Sequence, residues 1–235
     1  MDELGAEMMS DCSRTSSATA QLSMLLALFN GVLVYVIMPT AATAEQPIRI
    51  VALGDSLTAG FMLPASQAFS TQLKRALNAK GYDVEVIDAG VSGDTTAAAL
   101  ERFEWAVPDG VDAAIVELGA NDALRGLDPA LARQNLESII TRLKAKGAEI
   151  LIAGMIAPRN WGQEYAQQFD AIFPDLAKTH GTLLYPFFLE GVALRQELNL
   201  DDGLHPNAKG VAEIIERILP SVEELIRRAA AKRKG

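Results

Sequence analysis

The chain has 235 residues, 49% of them hydrophobic and 6% aromatic, with a formal net charge of −9. This is enough for one domain with a sizeable core, and it fits a soluble α/β protein better than a disordered or fibrous one. The acidic balance argues against a nucleic-acid partner, whose phosphates demand a basic face. The single cysteine, Cys12, excludes a disulfide framework and a cysteine-based metal site.

Leu22 to Met38 is an apolar run, followed by Pro39 and the small-residue series Thr40-Ala41-Ala42-Thr43-Ala44. Ala42-Thr43-Ala44 has the A-x-A form of a signal-peptidase site. We therefore expect residues 1–44 to be a signal peptide and residues 45–235 to be a single mature domain, exported to the periplasm or secreted. The stretch before the run is atypical, because Arg14 is outnumbered by Asp2, Glu3, Glu7 and Asp11. An uncleaved anchor stays open, since the run approaches a membrane span in length. Cys12 precedes the run and is no lipoprotein attachment site of the usual layout.

From there strands and helices alternate. Ile48 to Leu53 is nearly all apolar and rich in β-branched residues, as in a strand buried on both faces. It ends in Gly54-Asp55-Ser56, which sets a hydroxyl at the carboxyl end of the strand, where open α/β sheets bind ligands. Ser56 is thus a candidate nucleophile, against the plainer reading of a β-turn whose Asp and Ser satisfy local backbone groups. Ala65 to Lys80 has helical spacing (Phe69, Leu73, Leu77) and stops at Gly81. Val84 to Asp88 is a second strand, then Gly90-Val91-Ser92-Gly93 and a helix from about Asp94 to Ala106. Asp112 to Leu118 is the third strand, ending in Gly119-Ala120-Asn121-Asp122. Pro129 opens a helix that runs to Lys146 and is closed by Gly147. Glu149 to Met155 is a fourth strand, followed by a loop through Pro158 and Gly162 and a helix to His180. Thr182 to Tyr185 is a fifth. Asp201-Asp202-Gly203-Leu204-His205 leads into a last helix from Pro206, in which Pro220 is a candidate break. Such alternation implies right-handed βαβ units: a three-layer α/β/α sandwich around a five-stranded parallel sheet.

A serine hydroxyl needs a base, and a neutral imidazole is the suited one. His180 ends a helix beside Gly181, where the helix dipole explains it. If Ser56 has a base it is His205, with Asp202 three residues earlier to orient the ring. The competing readings are a cap-region histidine before Pro206 and a turn-forming aspartate. Gly93, at the mouth of a helix, lets a backbone N–H approach closely, and Asn121 offers a side-chain N–H; both suit a developing oxyanion. Each is also ordinary as a turn or cap residue. The glycine loop lacks the lysine of a phosphate-binding P-loop.

Taken together, Gly54-Asp55-Ser56-Leu57, Gly93 within GVSGDT, Gly119-Ala120-Asn121-Asp122 and Asp202-Gly203-Leu204-His205-Pro206 resemble, in order, the four signature blocks of the SGNH (GDSL) hydrolases. The resemblance spans nearly all of residues 47–226. Ile156-Ala157-Pro158-Arg159-Asn160-Trp161-Gly162 and Tyr185-Pro186-Phe187-Phe188 are similar to the bacterial branch of acyl-CoA thioesterase I, lysophospholipase L1 and arylesterase. The G-x-S-x-G elbow of ordinary α/β-hydrolases is absent. At 159 and 161 this chain has Arg and Trp where that branch carries Pro and Tyr, which puts substrate preference in doubt.

The resemblance implies a flavodoxin-like SGNH hydrolase fold and a monomeric esterase or thioesterase acting on small acyl or aryl substrates without metal or cofactor. Ser56 is then the nucleophile, His205 the base and Asp202 its orienter. Gly93, Asn121 and the Ser56 N–H form the oxyanion hole. A carbohydrate or peptidoglycan O-deacetylase is an alternative with the same triad, and a non-catalytic binding module a second. With little chain left for a lid, we expect an open acyl groove walled by Leu57, Leu63, Leu124, Pro158 and Trp161. Arg159 is expected at its rim, facing substrate phosphates; the plainer reading of Trp161 is packing under its own loop.

Overall fold

Five short apolar strands set the frame: β1 (Ile48–Gly54), β2 (Val84–Gly90), β3 (Ala113–Glu117), β4 (Glu149–Ala153) and β5 (Leu183–Tyr185). The computed structural model describes residues 46–234. The expected signal peptide with its Ala42-Thr43-Ala44 site, and Cys12, lie outside them. The strands form one parallel sheet in the order β2-β1-β3-β4-β5. Because the chain steps one way from β1 to β2 and the other way from β2 to β3, the crevice beyond the end of β1 is the topological switch point of the sheet. β1 and β3 are buried along almost their whole length, as their unbroken apolar runs require.

The helices among the described residues are α1 (Ser56–Ala59), α2 (Phe69–Ala79), α3 (Thr96–Glu101), α4 (Phe103–Ala106), α5 (Ala120–Leu124), α6 (Pro129–Ala145), α7 (Gln163–Asp170), α8 (Ile172–His180) and α9 (Ala208–Arg233). α2 packs on α9, while α6 packs on α3, α7 and α8, so the sheet is covered on both faces. This is the expected three-layer α/β/α sandwich. The helix expected over 94–106 is broken into α3 and α4 at Arg102. There a buried guanidinium donates to Asp94 Oδ2 at 2.5 Å, to the Gly54 carbonyl at 3.0 Å and to the Ala89 carbonyl at 2.8 Å. One side chain thus ties the carboxyl ends of β1 and β2, and the helix gives way to it. α9 runs through Pro220 without a break. The proline lies on the exposed side of the helix, so the carbonyl it leaves unpaired faces water, while Ile214, Ile218, Val222 and Leu225 keep the buried stripe continuous.

Candidate active site

Ser56 opens α1 directly after β1. Asp55 caps that turn by accepting the Leu57 N–H at 3.0 Å. A Cβ on Gly54 would meet Thr58 Oγ1 at 2.1 Å, so only glycine lets the chain fold back this tightly. The Ser56 hydroxyl lies 3.0 Å from His205 Nε2, and His205 Nδ1 lies 2.6 Å from Asp202 Oδ2. Asp202 Oδ1 accepts the backbone N–H groups of Leu204 and His205, at 2.9 and 3.0 Å. Partial desolvation pushes Asp202 up, but these two N–H bonds and the imidazole outweigh it and hold the carboxyl at about 2. An ionised carboxylate can only accept, so the ring proton sits on Nδ1 and Nε2 is free to accept from the serine. The Phe61 ring covers the imidazole, with centroids 4.5 Å apart. The loop that carries Asp202 and His205 is tied down by Asn199, whose Nδ2 donates to the Val192 and Arg195 carbonyls at 2.8 Å each.

The other two expected positions come to the same place. Asn121 sits in the first turn of α5, and its Nδ2 donates to Asp55 Oδ2 at 3.1 Å. Gly93 follows β2 with φ +88°, a conformation that favours glycine, and a Cβ there would have only the tip of Arg125 within 4 Å. Neither the Gly93 N–H nor that of Ser56 has a partner among the described residues.

Two carboxyl groups beneath the serine were not singled out in the sequence. Asp55 is fully buried, and that burial raises it to about 6 against the bonds from Leu57 and Asn121. Glu117, at the end of β3, is buried as deeply. Its Oε2 accepts from Thr58 Oγ1 at 2.7 Å and from the Asp55 N–H at 3.4 Å, while Oε1 has no partner among the described residues. Burial, with the Asp55 charge beside it, pushes Glu117 well above the carboxylate range. The available signal was a lone acid at the end of an apolar strand, Ala113-Ala114-Ile115-Val116-Glu117. Asp122 ties its own block to the residue that follows GVSGDT by accepting from the Thr96 N–H at 2.8 Å and its hydroxyl at 2.7 Å.

A groove of about 640 Å³ runs from Ser56 and His205 over the ends of β3, β4 and β5. Of the expected wall residues, Leu57, Leu124 and Pro158 line it, with Arg159. Ile156, Phe187, Leu194 and Leu204 line it too and were not anticipated. Trp161 is not on the wall: it packs on Gly126 and against the Tyr165 ring, 6.5 Å between centroids. Leu63 packs half-buried against the core instead. Arg159 is exposed and paired with Asp170 at 2.9 Å, so its charge is largely spent on that carboxylate. Among the described residues no cluster of three or more His, Cys, Asp or Glu is placed to hold a metal ion.

A hydroxyl, an imidazole and a carboxylate in hydrogen-bonded series, set beyond the strand ends of a doubly wound sheet, form the arrangement of a serine hydrolase. The comparisons agree. The chain belongs to the GDSL-like lipase/acylhydrolase family, whose model matches residues 52–212. It is 36% identical over 200 residues to esterase TesA of Pseudomonas aeruginosa, covering 85% of this chain and 98% of that one. It is 35% identical over 192 residues to thioesterase 1/protease 1/lysophospholipase L1 of Escherichia coli, covering 81% and 90%. The solved structure of AlinE4, an SGNH-hydrolase family esterase, superposes with a TM-score of 0.65 at 45% identity, covering 77% of this chain and 97% of that one.

Proposed function

We propose that this enzyme is a serine esterase and thioesterase that cleaves acyl and aryl esters through an acyl-enzyme. The observation that carries the reading is the hydrogen-bonded series from Ser56 through His205 to Asp202 at the head of an apolar groove. Ser56 Oγ attacks the acyl carbonyl as its proton passes to His205 Nε2, and the Asp202 carboxylate stabilises the resulting imidazolium. The oxyanion is received by the N–H groups of Ser56 and Gly93 and by Asn121 Nδ2. Collapse expels the alcohol or thiol with the proton from His205. Water then attacks the acyl-enzyme, His205 again taking the proton. Apart from Arg159 and from Ser56, Asn121 and His205 at its head, the groove is lined by apolar residues, which supports an acyl or aryl chain as occupant rather than a sugar. The names of the relatives, an esterase and a thioesterase/lysophospholipase, point to the same chemistry.

The enzyme acts as an exported monomer once residues 1–44 are removed; N-terminal mass analysis of protein recovered from the periplasm tests this by finding Glu45 first. No helix among the described residues is long and apolar enough to cross a membrane. Ser56→Ala tests the chemistry. A folded variant should lose aryl-ester hydrolysis by on the order of a millionfold and should not label with a fluorophosphonate. Retention of more than a few per cent of activity would reject Ser56 as nucleophile.

A further inference from the structure

Arg125 ends α5, and its guanidinium reaches back over the site. Its Nη2 donates to the Gly93 carbonyl at 2.9 Å and to Asn121 Oδ1 at 3.4 Å. Every other described arginine except Arg75 is paired with a carboxylate. Among the described residues Arg125 has no carboxylate within ion-pair distance, although its charge is felt at Asp122 and the chain is acidic overall.

The geometry has a definite consequence for Asn121. A guanidinium is all donor, so the atom that faces Arg125 is Oδ1. On the opposite side Nδ2 is held by Asp55 Oδ2. The carboxamide is fixed at both ends, and its second N–H is left for the space beside Ser56. Gly93 has no side chain of its own to hold it, and its carbonyl is held by the same guanidinium nitrogen. The two donors arrive from different strand ends, β2 and β3. Among the described residues Arg125 is the one side chain that bonds to both.

We propose that Arg125 is a positioning residue that braces Gly93 and Asn121 against each other as the two sides of the oxyanion hole. The proposal rests on the reading of Ser56 as nucleophile. The brace acts on the transition state, because the donors it aligns meet full charge only there. Its loss therefore lowers kcat and leaves KM for a neutral substrate alone.

The test uses a neutral aryl acetate with Arg125→Gln, Arg125→Lys, Asn121→Ala and the Arg125→Gln/Asn121→Ala double variant, with Ser56→Ala as control. Arg125→Gln should lose about tenfold in kcat with KM within about twofold, and Asn121→Ala on the order of a hundredfold. The double variant should be less than about threefold slower than Asn121→Ala, since much of what the brace holds is already gone. Arg125→Lys keeps the charge, but its ammonium has a shorter reach than the single guanidinium nitrogen that makes both bonds, so it should fall between wild type and Arg125→Gln. The guanidinium is exposed, so thermal melts of the variants should stay within a few degrees of wild type. The brace is rejected if Arg125→Gln keeps wild-type kcat, if only KM moves, if the single losses multiply in the double variant, or if Arg125→Lys equals wild type. Should Arg125→Gln not fold, Arg125→Lys decides by the same kcat-against-KM split. An active Ser56→Ala control would sink the nucleophile reading instead, so the two failures are distinguishable.

Discussion

The buried carboxyl of Asp55 makes a quantitative prediction about stability. Its pKa stands at about 6 in the folded chain against an ordinary value of 3.8, chiefly because burial penalises the charged form. A carboxyl raised in this way binds more protons folded than unfolded. Its contribution is therefore fully present below pH 3.8 and is lost as pH rises through 6. The gap, at about 1.4 kcal/mol per pH unit, amounts to about 3 kcal/mol. Asp55→Asn abolishes that titration. It also sets two amide donors, Nδ2 of residue 55 and Nδ2 of Asn121, against each other, but this cost does not vary with pH. Comparing wild type and variant by urea denaturation at pH 4 and at pH 7 removes the constant part. Because pH 4 already lies above the unfolded value, the free-energy difference between them should shift by about 2 kcal/mol in favour of the variant at pH 7, roughly 5 °C in Tm for a domain of this size. Asp202 does not intrude, because it is depressed to about 2 and its contribution is lost only as pH falls below the window. A difference that is the same at both pH values would refute the assignment of a raised pKa to Asp55.

Two further predictions concern the site. Asp202→Asn should cost on the order of a thousandfold or more in kcat by freeing the tautomer, and an effect under tenfold would show that the backbone alone orients the ring. Arg159→Ala should change KM for an anionic acyl-CoA by less than about threefold relative to a neutral aryl acetate, since the Asp170 carboxylate already occupies the guanidinium. A large selective rise in KM would restore Arg159 as a phosphate contact.

The sheet and the chain order of its elements were legible because buried parallel strands announce themselves as apolar runs closed by glycine, as at Leu53-Gly54 and Leu118-Gly119. Ser56, Asn121 and His205 were legible because each falls in such a closing turn or cap. What the chain conceals is what depends on partners distant in sequence. α1 and α5, at four and five residues, are too short for helical periodicity to register. The break at Arg102 comes from carbonyls on two other strands. Glu117 stands out in sequence only as an acid in an apolar strand, and its role becomes visible once Thr58 and Asp55 are seen around it. Trp161 has the composition of a groove wall, yet its place against Gly126 and Tyr165 is decided by where α5 ends. Arg125 is indistinguishable in sequence from any other helix arginine.

The bond between Ser56 and His205 joins residues 149 positions apart. Closing so large a loop is entropically costly and kinetically slow, so this contact belongs to the last stage of assembly. A chain that has formed its helices and paired β1 with β2 still has a serine without a base. During refolding, reactivity toward a fluorophosphonate should therefore lag behind the recovery of circular dichroism. The catalytic serine doubles as a reporter of completion, labelling molecules whose last helix and loop have docked and passing over those that stalled.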